Sequence, residues 1–520
     1  MSTYLAPGVY IEEIEVGPVP IDGVSTNTAA ILGETERGPT MPVLLTSYND
    51  YLRKFGSSFG DDQYVPSAVY AFFQNGGSRC YLARIVDRTN STAASQDFGG
   101  YHVEAIGPGD WGKRIFVQIS DSTTTTTVAG QKTPIGIKIE VAYWAATPTP
   151  PNPLPNPFAV PGSTAPRLAV PPQMTEVFDD VVLDDPSSQN YYQKRLPGNS
   201  GLIVFSQIAG SVAPVTKGLG PLTQGGAAGN APTVADYAGV DPVPTNRQGL
   251  AALLLDPYRD IALVHAPNAP DPVTKLIISH CEDNRFRFAV VDCPVNVGDV
   301  SQLDPRTTLQ DTTFAAFYSP WVAISDPKSG MQRKVPPGGS ILGIYSRSDS
   351  NRGVFKAPAN EPVFGALDLE FKFGQAEQES LNPNGVNAIR QFPGRGILVW
   401  GARTLSSNAL WKYVSVRRLL IFLEHSIFDG TQWVVFEPND EKLWGRVADS
   451  IRLFLRTQWR EGALMGTTED EAFTIVCDRT TMTQDDILNG RLICQIGVAP
   501  VRPAEFVIFQ IYQMTQEAQS

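Results

Sequence analysis

The chain is poor in the residues on which most metal and redox sites are built. It holds four histidines (His102, His265, His280, His425) and five cysteines (Cys80, Cys281, Cys293, Cys477, Cys494) in 520 residues. The cysteines are odd in number and scattered, with no Cys-x-x-Cys pair, which fits reduced, buried thiols and not a disulfide framework or a zinc site. No HExxH, Walker-type or dinucleotide glycine motif occurs, so no metal and no cofactor is expected. No uncharged apolar run reaches the roughly eighteen residues of a membrane span, and no direct membrane insertion is expected. The opening residues Met1–Gly8 lack the basic and apolar stretches of a signal peptide, which points to folding in the cytoplasm. The formal net charge of −12 argues against nucleic acid as the main partner, because phosphate binding needs a basic surface.

What is present is ample apolar material, 42% of residues, in a chain long enough for several domains. Residues 1–25 read as an extended arm, since Pro7, Gly8, Gly17, Pro18 and Pro20 forbid a helix while Val9–Ile14 favours a strand. A buried strand is expected over Thr28–Gly33. Val65, Ala68, Val69, Phe72 and Phe73 then form one helical face, stopped at Asn75-Gly76-Gly77, and Cys80–Val86 is the next strand. Residues 95–245 change character and read as a β-rich outer insertion. They hold a threonine run at Thr123–Thr127, a stretch with ten prolines between Thr147 and Pro172 that is expected to be extended and solvated, and a flexible stretch from Gly218 to Gly229.

Strand and helix alternate again from Asp260–Val264, through a helix capped by Asp271, to Phe286–Asp292; that order implies a parallel crossover. Farther on, Trp444, Val447, Ala448, Ile451, Leu455 and Trp459 share one face of a long helix, with Arg452, Arg456 and Arg460 as a stripe on an adjacent face. Phe506–Ile511 is apolar on both faces, the pattern of a strand buried in mid-sheet.

Candidates for catalysis are weak. Gly56-Ser57-Ser58-Phe59-Gly60 fits G-x-S-x-G, but that elbow needs a strand before Ser58, and Tyr51–Phe55 reads as helix. His265 and Asp292-Cys293 fall at the ends of predicted parallel strands, where a thiol nucleophile and its base would sit, yet Pro267 and Pro294 mark plain strand-to-loop transitions. His280 and Cys281 lie on an apolar helical face and read as packing. Asn90-Ser91-Thr92 fits a glycosylation acceptor only if the chain is secreted. The rival function class is an α/β hydrolase or thiol enzyme with a β-rich accessory domain; another is a different self-assembling shell or tube protein, which the strand–helix alternation disfavours.

A set of ordered motifs resembles the contractile tail sheath family of phages and related injection systems. It begins at Pro7–Glu13 and continues through Gly33-Glu34-Thr35-Glu36-Arg37-Gly38-Pro39 and Phe72–Gly77. Then come Arg352–Asn360, Leu381-Asn382, Gly385-Val386-Asn387, Val399–Leu405, Tyr413–Leu419, Phe436–Asp440 and Ala499–Phe506. Tyr345–Asp349 departs mildly, with Ser346 and Ser348 where alanine and threonine are expected, and the proline-rich insertion matches nothing in the pattern.

The resemblance implies a mixed α/β, multidomain chain. Its parts would be an inter-subunit arm (1–25), an α/β domain of subtilisin-like topology without a triad (26–94 with 246–380), the β-rich insertion (95–245) and an α+β assembly core (381–520). It implies a sheath subunit and no enzyme: a chain that polymerises with itself around an inner tube protein and meets baseplate and terminal cap proteins. The exchanged arms would be carried by Val9, Ile11 and Ile14 and by Phe506, Val507, Ile508, Phe509 and Ile511, with Arg452, Arg456 and Arg460 facing the tube. The expected location is the producing bacterium's cytoplasm during assembly, then a phage tail or injection particle.

Overall fold

The computed structural model describes residues 19–57, 60–128, 130–158, 170–208, 218–297 and 303–510. These fall into two units. The larger takes Ser25–Asn351 and Pro358–Val414; the smaller takes the described residues of Met1–Val24, Arg352–Ala357 and Ser415–Ser520.

The larger unit is organised on a nine-stranded sheet. Its middle is parallel, with Cys80–Arg84, Ala29–Gly33, Leu263–His265, Phe288–Asp292, Ala315–Ser319 and Val386–Phe392 side by side in that order. Val43–Leu45 closes one edge antiparallel, and Gly396–Val399 with Glu361–Pro362 closes the other. Ala29, Ala30, Ile31 and Leu32 are completely buried, as strands covered on both faces require. The helix Val65–Gln74 lies after the first strand as its periodicity predicts, and the chain reverses at Gly76, whose φ of 102° suits glycine. The helix Asp271–Asn284 is also observed, but Asp271 is its first residue and not its cap.

The placement of Val386–Phe392 and Gly396–Val399 in this sheet corrects the expected boundary at residue 381. The last segment of the smaller unit begins at Ser415, because the chain returns to the large sheet for two more strands before leaving it.

Within the same unit the insertion is a sandwich of two four-stranded antiparallel sheets. One orders Met174–Val181, Ile137–Tyr143, Ile115–Asp121 and Leu219–Pro221; the other orders Ile203–Gln207, Tyr101–Ala105, Thr92–Phe98 and Gln224–Ala227. Tyr101, Val103 and Ala105 are buried while His102 and Glu104 are half-buried, the period-two signature of a sheet with one covered face. Two expectations fail here. The Gly218–Gly229 stretch, expected to be flexible, supplies an edge strand to each sheet. The proline-rich stretch is not simply solvated: Leu154, Phe158 and Val170 pack over Trp144, whose indole N–H donates to the Val170 carbonyl at 3.0 Å.

The sandwich is seated on the segment Gly33–Pro39. Tyr143 donates to the Glu36 carboxylate at 2.8 Å, and the buried Arg37 lies over the Tyr143 ring, 5.0 Å from its centre. Arg84 joins the two parts through the Gly38 and Pro108 carbonyls at 2.8 and 2.9 Å. A buried guanidinium needs such acceptors to offset its lost hydration.

Candidate assembly surface

The smaller unit is built around two helices, Val414–Gly430 and Glu441–Arg460. The second is started by Asp440, whose carboxylate accepts from the Leu443 amide at 2.9 Å. Leu443, Trp444, Val447, Ile451, Phe454 and Leu455 bury one stripe of it, against Leu419 and Leu423 of the first helix. The Trp444 indole donates to Asn439 at 2.7 Å. Trp459, expected on the same face, is half-buried and donates to the Gly466 carbonyl.

Both ends of the described chain belong to this unit. Ile21 is buried with the helical core, and the Val24 amide donates to Ser426 at 3.1 Å. A Cβ at Gly23 would stand 2.9 Å from the Phe422 ring. Gly23 is therefore packed against the first helix. Val9, Ile11, Ile14, Gly17 and Pro18 lie outside the described residues.

Beyond the second helix, Phe473–Val476 and Gln495–Val498 form a two-stranded antiparallel ribbon. Ala499 and Val501 are tied back to Met465 and Ala463 by backbone hydrogen bonds of 2.7 and 3.2 Å. The expected buried strand that follows is not one in this chain. Residues 502–510 carry no strand, and Phe506, Val507, Ile508 and Phe509 are 71%, 68%, 82% and 86% exposed. Ile511 lies outside the described residues. A run of four large apolar side chains in water is costly, and in a folded protein such a run marks a surface that another partner covers.

The arginine stripe exists but is not uniform. Arg456 forks onto Glu469 with bonds of 2.7 and 3.1 Å, and Arg452 lies 3.4 Å from Asp449 and 3.7 Å from Glu469. Hydrogen bonding by Arg456, then its charge, holds the Glu469 carboxyl below the usual range, and the same pair raises Arg456. Arg460 is exposed at the helix end and reaches Glu469 only through its longer-range field.

Among the described residues, those considered for catalysis are not assembled into a nucleophile and base. Gly56 follows the helix Tyr48–Phe55 and not a strand, so the elbow geometry is absent; Ser58 and Phe59 lie outside the described residues. His265 is fully buried, with Nδ1 2.9 Å from the Val290 carbonyl and Nε2 3.5 Å from Asp292. A Cβ at Gly338 would lie 2.1 Å from the His265 ring, so backbone seals this imidazole. Burial pushes the Cys293 thiol far above the range of a nucleophile. A cavity of about 410 Å³ touches Asp292 and Cys293 but not His265.

The phage tail sheath protein central domain matches residues 233–405, and the phage tail sheath C-terminal domain matches residues 406–514. Together they run without a gap over more than half of the chain. The chain belongs to the phage tail sheath family.

Curated sheath relatives include a prophage major tail sheath protein of Pseudomonas aeruginosa strain UCBPP-PA14, 24% identical over 196 residues, 37% of this chain and 49% of that one. The tail sheath protein of Vibrio phage KVP40 is 24% identical over 211 residues, 40% of this chain and 31% of that one. The matched part of this sheath chain thus spans about half or less of those relatives. Among solved structures, the contracted sheath complex of the PVC extracellular contractile injection system aligns over 99% of this chain and 100% of that one, with 22% identity and a TM-score of 0.61. The contracted helical sheath of the anti-feeding prophage aligns over 98% and 100%, with 22% identity and a TM-score of 0.59. At such identity the likeness establishes the shared sheath fold, which is mixed α/β and multidomain.

Proposed function

We propose that this chain is the structural subunit of a contractile sheath. Copies polymerise around an inner tube protein and contract to drive that tube through a target envelope, in contact with baseplate and terminal cap proteins. The observation that carries the proposal is the exposed run Phe506–Phe509, directly after a two-stranded ribbon, in a chain whose family is that of tail sheaths. Strand addition to a neighbour's sheet would give the backbone of this run its partners and bury its side chains, and it would extend a ribbon that is marginal at two strands. The N-terminal arm, anchored at Ile21, would be exchanged in the same way through Val9, Ile11 and Ile14.

In this reading, subunits join by heterologous contacts that propagate as stacked rings or a helix. The arms stay paired while the rigid units move, and the extended lattice waits behind a kinetic barrier. No nucleotide and no catalytic step is needed, and the parallel sheet is the non-catalytic, subtilisin-like part of the family plan. Assembly takes place in the producing bacterium's cytoplasm, and the product is a virion or an extracellular or envelope-anchored particle.

Electron microscopy of the full-length chain, co-expressed with its tube protein, beside a version lacking residues 500–520 tests this. Ribbed hollow polymers from the first and dispersed subunits from the second are expected. Equal polymerisation of both would remove the exchanged C-terminal arm from the account.

A further inference from the structure

The five thiols are not equivalent. Cys80, Cys281 and Cys293 are fully buried, whereas Cys477 and Cys494 are half-buried in the smaller unit, contrary to the expectation of five sequestered thiols. These two flank the ribbon. Its register pairs Phe473 with Val498 and Val476 with Gln495, so the next rung sets Cys477 opposite Cys494.

The kind of rung follows from the backbone. The Ala499 amide donates to the Ala472 carbonyl at 2.9 Å, which makes that rung a hydrogen-bonded one. Rungs alternate along an antiparallel pair, so the ones at Thr474 and Val476 are hydrogen-bonded and the ones at Phe473, Ile475 and Cys477 are not. Opposed Cα atoms at a non-hydrogen-bonded rung lie about 4.5 Å apart with side chains close, inside the ~4.4–6.8 Å that a disulfide spans. The two thiols also influence each other's ionisation in opposite directions, as neighbouring groups do: the Cys477 thiol is lowered and the Cys494 thiol raised.

We infer that Cys477 and Cys494 form a reversible thiol–disulfide site that closes in place across the ribbon. The oxidant is a small-molecule disulfide. The Cys477 thiolate attacks one of its sulfurs, breaking that S–S bond and releasing one thiolate. Cys494, on losing its proton, then attacks the Cys477 sulfur of the mixed disulfide, expels the second thiolate and completes the cross-strand bond. Two protein thiols are oxidised, and one external disulfide is reduced to two thiols. The interaction between the pair favours the thiolate at Cys477 and disfavours it at Cys494, which is the order of attack written here.

The bond would staple the ribbon at the rung where residues 478–493 leave it, and the ribbon leads directly into Ala499 and the exposed run beyond. A sheath that leaves a reducing cytoplasm would thereby stiffen the base of its exchanged arm. That consequence rests on the sheath reading; the cross-link itself does not.

The test uses reduced, unassembled full-length protein incubated with oxidised glutathione, then alkylated, digested and analysed by mass spectrometry. The expected product is a peptide containing Cys477 joined to one containing Cys494 within a single chain, with Cys80, Cys281 and Cys293 recovered as thiols. Amide hydrogen exchange in Phe473–Val476 and Gln495–Val498 should slow several-fold on oxidation, and Cys477→Ser should abolish that slowing. Separate glutathione adducts on the two cysteines, or links between chains, would overturn the inference. Because the readout is made before polymerisation, it stands or falls independently of whether the chain forms a sheath.

Discussion

Glu469 receives both ends of the Arg456 guanidinium fork, at 2.7 Å from Nε and 3.1 Å from Nη2. This pairing divides the arginine stripe, because a cation already held by a carboxylate has less to offer a partner than one in open water. Among single reversals, Arg460→Glu is expected to lower co-sedimentation of the sheath with tubes most, whereas Arg456→Glu should first destabilise the smaller unit by facing Glu469 with a like charge. Normal co-sedimentation of the triple reversal at Arg452, Arg456 and Arg460 would remove the stripe from the tube interface.

The same pair gives an acid dependence of known sign. The Glu469 carboxyl is held below its unfolded range, so its contribution is present above the usual glutamate pKa and is lost as pH falls through the lowered value. Urea midpoints measured from neutral pH downward should show a shallower acid loss for Glu469→Gln than for the parent. The effect is small, since both groups are partly exposed and solvent screens the pair.

A larger acid effect is expected in the parallel-sheet unit. The buried His280 accepts from the Arg287 guanidinium at 2.7 Å, and desolvation, then the Arg287 charge, lowers its pKa to about 3. The unfolded chain binds this proton near the ordinary histidine value of about 6.5, the folded chain only near the lowered one. Stability is therefore full above the ordinary value and lost progressively as pH falls between the two, by an amount on the order of a few kcal/mol. His280→Gln retains an acceptor for Arg287 and should flatten that limb. Parallel curves for the two proteins would contradict the assignment.

Gly338→Ala probes the sealed histidine. The added methyl would lie 2.1 Å from His265 Cε1 and 2.7 Å from the Asp292 carboxylate, whose other oxygen accepts from the Asn268 amide. Neither neighbour has room to retreat, so the cost is expected to be about 3 kcal/mol or more. Chemical denaturation reads it directly.

Leu455→Ala tests the helical core of the smaller unit. Leu455 is completely buried among Leu419, Ile451 and Phe454, and its truncation should cost about 3 kcal/mol through lost burial and the cavity left behind. The urea midpoint of that unit should drop while the larger unit keeps its own.

The elements legible in the sequence were those whose signal is local. Val65–Phe73 and Trp444–Leu455 show a helical period, and Ala29–Leu32 is too continuously apolar to face water. The boundary at residue 381 was misplaced because nothing local records that Val386–Phe392 returns to pair with Ala315–Ser319. Gly220, Gly225 and Gly226 read as flexible since glycine carries no strand preference, yet cross-strand partners supplied from far back in the chain hold them. Trp144 captured part of the proline-rich stretch through contacts that composition does not encode. Phe506–Phe509 has the pattern of a buried strand and lies exposed in the single chain; pattern reports the surroundings a segment is built for, and a partner chain can supply those surroundings. The facing of Cys477 and Cys494 is a matter of register alone, which spacing in sequence does not reveal.

The measurement closest to the central claim is a cryo-electron microscopy map of the assembled polymer, at a resolution that traces backbone hydrogen bonds around Phe473–Val476 and Gln495–Val498. The account predicts that Phe506–Ile511 runs as a strand hydrogen-bonded to a sheet of another subunit, with Phe506–Phe509 buried there. A map in which this segment folds back on its own chain, or stays exposed in the polymer, would contradict it.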